Sequence, residues 1–234
     1  MIEKIIHYCW FGNKKMPKKY KTFISTWKKF FPNYEIIEWN EKNFPINKYP
    51  FAQAAYDSGK YAFVSDVARM YALYNYGGIY FDTDVEVIKS MDDLLTDDVE
   101  GVLGEESIEE QSFGTGFIAL KKHHKIAKHF LEYYNSHTFS NDSLSLKPNT
   151  HILADFLKEY YFIEPNGIIK KVDNISIYPQ YYFTCFDGFI GKTIITNDSK
   201  CIHHFDNSWT SKKGKIIYKI RLLYHRLLRI LKIK

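Results

Sequence analysis

The sequence predicts an α/β protein with a mostly parallel central sheet flanked by helices. Short strand signals alternate with helical periodicities, 45% of the residues are hydrophobic, and 234 residues suffice for one sizeable core. Strand signals fall at 4–9, 34–39, 79–87, 99–104 and 113–120. Helical ones fall near 17–30, 51–57, 60–76, 123–135 and 150–160, and no internal repeat interrupts the series.

Taken in order, the first strand signal runs from Lys4 to Cys9, where Tyr8 and, just beyond, Trp10 alternate onto one face ahead of Gly12. Flat aromatic faces at a strand end suit stacking on a base. The second strand signal is Tyr34-Glu35-Ile36-Ile37-Glu38-Trp39. Between Tyr61 and Tyr74 the apolar positions 64, 67, 68, 71 and 74 recur with the helical period, which places Asp66 and Arg69 on one helix face. Gly77 and Gly78 end that helix, because glycine takes the left-handed capping conformation without a Cβ penalty. Ile79, Tyr80 and Phe81 then favour a strand that delivers Asp82 and Asp84 to the rim of the sheet, where ligands bind. The stretch from Ser136 to Lys147 is rich in Ser, Asn and Asp and reads as a surface loop, and Thr150 is placed to cap the helix after it.

Three cysteines, Cys9, Cys185 and Cys201, without Cys-x-x-Cys spacing, indicate neither a disulfide framework nor a thiolate zinc site, and fit a reducing compartment. No secretory leader is visible before Ile5-Ile6-His7, and no run of eighteen apolar residues occurs. The net charge of +5 is uneven. Nine basic residues and no acidic one lie between Lys212 and Lys234, so the remainder is mildly acidic. At 100° per residue, Ile216, Ile220, Leu223, Leu227, Ile230 and Leu231 gather on one side and Lys215, Lys219, Arg226 and Arg229 on another. A cationic amphipathic helix of this kind lies on an anionic membrane, each basic residue near the surface contributing about 1 kcal/mol. The chain is therefore expected to divide into one α/β domain over 1–210 and a membrane-associating helix over 211–234. No recognised nucleic-acid motif accompanies the charge, so nucleic acid is not an expected partner.

Two carboxylates at one strand end invite a hard divalent cation such as Mn²⁺ or Mg²⁺, which takes oxygen ligands from carboxylates and from substrate phosphates. A further ligand can come from the region 203–208. His203 and His204 are adjacent, so on a strand they point to opposite faces and only one can join the carboxylates. Asp206 is a third chemical possibility.

Ser65-Asp66-x-x-Arg69 followed by Gly77-Gly78-Ile79-Tyr80-Phe81-Asp82-Thr83-Asp84 resembles the DXD sugar-binding segment of family 32 glycosyltransferases and of the related large clostridial glucosylating toxins. Lys4 to Gly12 resembles the opening strand of that family, and His203-His204-Phe205-Asp206-Asn207-Ser208-Trp209 its closing motif, so the similarity spans 4 to about 209. The resemblance implies a GT-A fold and retaining transfer of a hexose from a nucleotide-diphosphate sugar, UDP-linked above all, with Mn²⁺ or Mg²⁺ as cofactor. It implies Asp84 as metal ligand, joined by a histidine of the pair, taken as His204, or by the Ser208 hydroxyl. Asp82 would serve the ribose or sugar, Asp66 and Arg69 the hexose, Tyr8 and Trp10 the base, and the Trp209 indole N–H the diphosphate.

The chain departs from the family at Gly114-Thr115-Gly116-Phe117 and Lys147-Pro148-Asn149-Thr150, which leaves the acceptor side unassigned, and no catalytic base is nominated. The expected acceptor is a lipid-linked glycan or an oligosaccharide in surface polysaccharide synthesis, such as capsule. The expected location is cytoplasmic, peripheral on the inner face of the membrane. Two other functions compete: a protein-glycosylating effector of the same fold, and a haloacid dehalogenase-type phosphatase with Asp82 as nucleophile, since 80–85 fits strand-Asp-x-Asp-x-Val.

Overall fold

The chain opens with β1 (Ile5–Cys9), α1 (Lys18–Phe30), β2 (Glu35–Trp39), α2 (Pro50–Asp57), α3 (Tyr61–Tyr76), β3 (Gly78–Phe81) and β4 (Val85–Val87). It continues through β5 (Gly101–Ser107), β6 (Ser112–Leu120), α4 (Lys125–Ser136), α5 (Asn149–Tyr161), β7 (Lys170–Val172) and β8 (Ile175–Tyr178). It ends with β9 (Phe186–Asp187), β10 (Lys192–Thr193) and β11 (Cys201–His203). These elements come from a computed structural model that describes residues 1–140, 146–187 and 192–206. The amphipathic helix expected over 211–234, with Ser208 and Trp209 before it, lies outside the described residues.

Seven strands form the main sheet in the order β2-β1-β3-β6-β5-β8-β7. The α/β class is as expected, but the sheet is mixed. β1 runs parallel to β2 and β3, and β5 to β8, whereas β6 lies antiparallel to both β3 and β5, and β7 to β8. The cause is a tight connection: β5 and β6 are joined by too few residues for a crossover, so β6 returns as a hairpin arm and is inserted beside β3.

Each face of the sheet carries its own core. Alternation along β3 sends Ile79 and Phe81 to one side, where they meet Ile24 and Trp27 of α1, and Tyr80 to the other, where α2 to α5 pack. All four residues of β3 are buried, as a strand covered on both faces requires. The glycine pair before it is sterically obligatory. Gly77 has φ +67° and a Cβ there would fall 2.6 Å from the Lys122 backbone nitrogen, while Gly78 has φ +102° and a Cβ would fall 2.4 Å from the Ile5 carbonyl oxygen. His7 fixes the same junction from β1: Nε2 lies 2.7 Å from the Gly77 carbonyl oxygen and Nδ1 accepts from the Trp39 indole at 3.1 Å, so the proton of the neutral ring sits on Nε2.

The strand signal at 79–87 is two strands. The Val85 N–H donates to the Asp82 carbonyl at 3.0 Å, closing a turn over Asp82-Thr83-Asp84 that carries β4 out of the main sheet. There β4 pairs antiparallel with β11 and is held to α1 by Trp27 Nε1, which donates to the Val85 carbonyl at 2.9 Å. Thr150 does not cap α5, which already begins at Asn149. No helix among the described residues is long and apolar enough to cross a membrane.

Candidate active site

The turn at the end of β3 gathers side chains from α3, β3, α5 and β11. From α3, one turn of helix apart, come Asp66 and Arg69. The Arg69 Nη2 lies 2.9 Å from Asp66 Oδ1 and 3.2 Å from Asp82 Oδ1, and Nη1 donates to the Thr115 carbonyl of β6 at 2.7 Å. The guanidinium also stacks over the Tyr80 ring at 4.6 Å, and Tyr80 Oη donates to Asp82 Oδ1 at 2.9 Å. One buried cation thus ties together the two acidic groups that flank the glycine pair. Burial pushes the Asp66 carboxyl up to about 6 despite the nearby Arg69 charge.

Asn149, at the start of α5, donates from Nδ2 to Asp66 Oδ1 at 2.6 Å. Its segment stood out in the sequence as a departure from the family pattern, with no local signal of a role. The contact bridges a part of the chain far from α3, and only the packing of α5 brings it there.

Asp84 is clamped by the chain that follows β11. Its Oδ1 lies 3.3 Å from His203 Nε2, its Oδ2 accepts the Asp206 N–H at 2.9 Å, and its carbonyl accepts the His204 N–H at 3.0 Å. The β4–β11 register pairs Val85 with His203, which sets that imidazole against the residue before Val85. Burial alone would raise the Asp84 carboxyl, but hydrogen bonding and charge from His203 outweigh it and hold it at about 2. Burial likewise opposes protonation of His203, and Asp84 raises its pKa nonetheless.

Carboxylate and imidazole atoms of Asp82, Asp84 and His203 all lie within 4.8 Å of one another. Two hard oxygens and one imidazole nitrogen suit Mn²⁺ and also accommodate Mg²⁺, so the donor set fits the metal that the DXD motif implies. His204, expected as the ligand, points elsewhere: its Nε2 lies 2.9 Å from Glu86 Oε2 and its ring stacks on Phe23 at 4.4 Å. Strand alternation sends the two histidines apart, and the register chooses His203. Asp206 pairs its carboxylate with Lys19 at 2.6 Å, and its backbone N–H donates to Asp84 Oδ2 at 2.9 Å.

Tyr8 and Trp10 line a cavity of about 450 Å³ on the α1 side, together with Lys21, Lys28 and Glu38. Tyr8 Oη donates to Glu38 Oε2 at 2.8 Å, and Trp10 Nε1 to the Lys14 carbonyl at 2.6 Å. Neither aromatic makes a direct hydrogen bond to the Asp82–Asp84 turn. Arg69 and Tyr80 both engage Asp82 through Oδ1.

Residues 17–100 match the family model described as the glycosyltransferase sugar-binding region containing the DXD motif. Over 98 residues the chain is 37% identical to inositol phosphoceramide mannosyltransferase 3 of Schizosaccharomyces pombe, covering 40% of this chain and 27% of that protein. Inositol phosphoceramide mannosyltransferase 2 of the same yeast is 32% identical over 99 residues, covering 41% and 28%. The chain thus spans just over a quarter of the length of these relatives. Among solved structures it is similar to the PaToxG glycosyltransferase, with a TM-score of 0.53 and 20% identity over 68% of this chain and 70% of that one. The fold is of the GT-A kind. Within it lies the DXD sugar-binding region, Asp82-Thr83-Asp84 supplying the motif.

Proposed function

We propose that this chain transfers a hexose from a nucleotide-diphosphate sugar to a lipid-linked or oligosaccharide acceptor, in a reaction that needs a divalent cation. The observation that carries this reading is the convergence of Asp82, Asp84 and His203 beside the Asp66–Arg69 pair. Asp82, Asp84 and His203 would hold the ion. A bound Mn²⁺ or Mg²⁺ supplies charge neutralisation at the departing diphosphate.

The protein's own groups supply the rest. Asp66 has one oxygen committed to Arg69 and Asn149, leaving the other to accept a sugar hydroxyl. The Asn149 side-chain carbonyl offers a second acceptor beside it, and the Arg69 charge keeps this acidic pocket compatible with an anionic donor. The family 32 resemblance supports a UDP-sugar and a retaining outcome. The names of the yeast relatives support mannose as the sugar and an inositol-phosphate-bearing lipid as the acceptor. Tyr8 and Trp10 stack on the base, Trp209 binds the diphosphate, and residues 212–234 hold the enzyme on the anionic inner face of the membrane in surface polysaccharide synthesis.

The test is nucleotide release from UDP-glucose, UDP-galactose, their N-acetyl forms and GDP-mannose, each with Mn²⁺ and with EDTA. Release from one donor, abolished by EDTA, is the expected result. No release from any donor, or release indifferent to EDTA, sinks the proposal.

A further inference from the structure

The stretch from Gly12 to Phe30 carries seven lysines and no acidic residue, and all seven lysines are exposed. At 100° per residue, Lys18, Lys21, Lys28 and Lys29 of α1 fall within about a third of the helix circumference, with Thr22 and Ser25 between them. The opposite side of the helix carries the buried Phe23, Ile24 and Trp27. Lys14 and Lys15 extend the charge along the loop before the helix. α1 therefore presents a cationic face turned away from the sheet.

This charge has few internal partners. On α4 and α5, which cover the other face of the sheet, exposed lysines meet acidic groups: Lys125 lies 3.4 Å from Asp173, Lys128 3.5 Å from Glu132 and Lys158 2.6 Å from Glu164. Around α1, Lys19 pairs with Asp206 at 2.6 Å, and among the described residues no ion pair engages the other six lysines. Lys18 and Lys21 stand three apart, a spacing at which like charges repel unless an anionic partner comes to them.

The inner side of the same helix grips the metal-side turn. Asp206, the partner of Lys19, donates its N–H to Asp84 Oδ2 at 2.9 Å, Phe23 stacks on His204 at 4.4 Å, and Trp27 donates to the Val85 carbonyl at 2.9 Å. α1 thus packs directly on the segment that starts at the Asp82–Asp84 turn, with its lysines on the far side.

We propose that the lysine face of α1 docks on an anionic lipid surface, as a second membrane contact beside the tail expected over 211–234. This deepens, and rests on, the lipid-linked acceptor proposed above, because it holds the metal-side turn near the layer in which such an acceptor sits. Lysine suits this partner: a compact ammonium on a flexible stem settles into a headgroup layer of no fixed geometry, whereas the planar fork of arginine reads phosphates and bases of defined position. Among the described residues the one arginine is the buried Arg69. One weak contact gives marginal membrane binding, and two give stable anchoring.

The test uses full-length protein on phosphatidylcholine vesicles with and without phosphatidylserine. Wild type is compared with a variant carrying Lys18→Gln, Lys21→Gln, Lys28→Gln and Lys29→Gln, and with a control of equal net charge carrying Lys121→Gln, Lys125→Gln, Lys128→Gln and Lys158→Gln. Urea unfolding verifies that each is folded. The α1 substitutions should lower affinity for the phosphatidylserine vesicles at least about 10-fold, and the control substitutions less than about 3-fold. In a second measurement, a fluorophore on Ser25→Cys should be quenched by nitroxide-labelled headgroups, and one on Glu132→Cys of α4 should not; the native cysteines are buried and escape labelling. Equal losses in the two variants, vesicle binding untouched by the α1 substitutions, or quenching at 132 as strong as at 25 overturns the docking face. Tighter binding of wild type to an RNA oligonucleotide than to the vesicles, lost in the α1 variant, overturns it in favour of nucleic acid. Nucleotide release is measured alongside: vesicle binding that fails while release persists removes only the docking face, and release that fails while vesicle binding persists removes only the transfer.

Discussion

His203 Nε2 lies 3.3 Å from Asp84 Oδ1, while its neighbour His204 pairs with Glu86. The two histidines therefore have separable consequences. His203→Ala should weaken Mn²⁺ binding at least about 10-fold, the scale of losing a metal-site group. His204→Ala should leave metal affinity near wild type and instead loosen the contact between β4 and α1. Isothermal titration with Mn²⁺ alone decides between them, and equal losses in both variants would refute the assignment.

Gly116 makes room for that histidine. Gly116→Ala places a methyl group 2.7 Å from His203 Cε1, closer than real contacts allow, so the imidazole must move away from Asp84. The variant should fold with little loss of stability and bind Mn²⁺ more weakly than wild type. A structure of the variant with His203 unmoved would show the glycine to be dispensable.

Arg69 joins α3 to the metal-side turn. Removing it leaves Asp66 and Asp82 without their shared cation in a buried setting, so Arg69→Ala should cost about 3–5 kcal/mol in urea unfolding. Arg69→Lys should recover only part of this, because an ammonium lacks the planar fork that reaches both carboxylates and the Thr115 carbonyl. Full recovery by lysine would reduce Arg69 to a point charge.

His7 gives the fold an acid limit. Burial lowers its pKa to about 4, against the raising effect of its bond to Gly77. A histidine whose folded pKa is depressed is neutral in the native state, so its contribution is present above the ordinary value of 6.5 and is lost as pH falls towards 4. The loss amounts to about 3 kcal/mol across that window. His7→Gln can keep both hydrogen bonds without a titrating group, so its stability should fall less between pH 7 and pH 4.5. Parallel acid sensitivity of the two proteins in denaturant titrations would exclude His7 as the cause.

The local part of the site was legible in the chain. Asp66, Arg69, the glycine pair and Asp82-Thr83-Asp84 lie within a single helix–turn–strand unit, where helical spacing and the turn dictate who faces whom. The α/β class was legible for the same reason, since periodicity is a local property. The mixed sheet was not, because nothing short-range marks β6 as the arm that returns beside β3.

By itself, then, the sequence determined the DXD turn, the Asp66–Arg69 pair and the rule that only one of two adjacent histidines could reach them. The tertiary structure decided which one. A strand's alternation fixes that neighbours diverge, but its register against another strand, here Val85 opposite His203, is settled only when distant segments pack. Asn149 was invisible for the same physical reason: it arrives on a packed helix and leaves no local pattern in the chain.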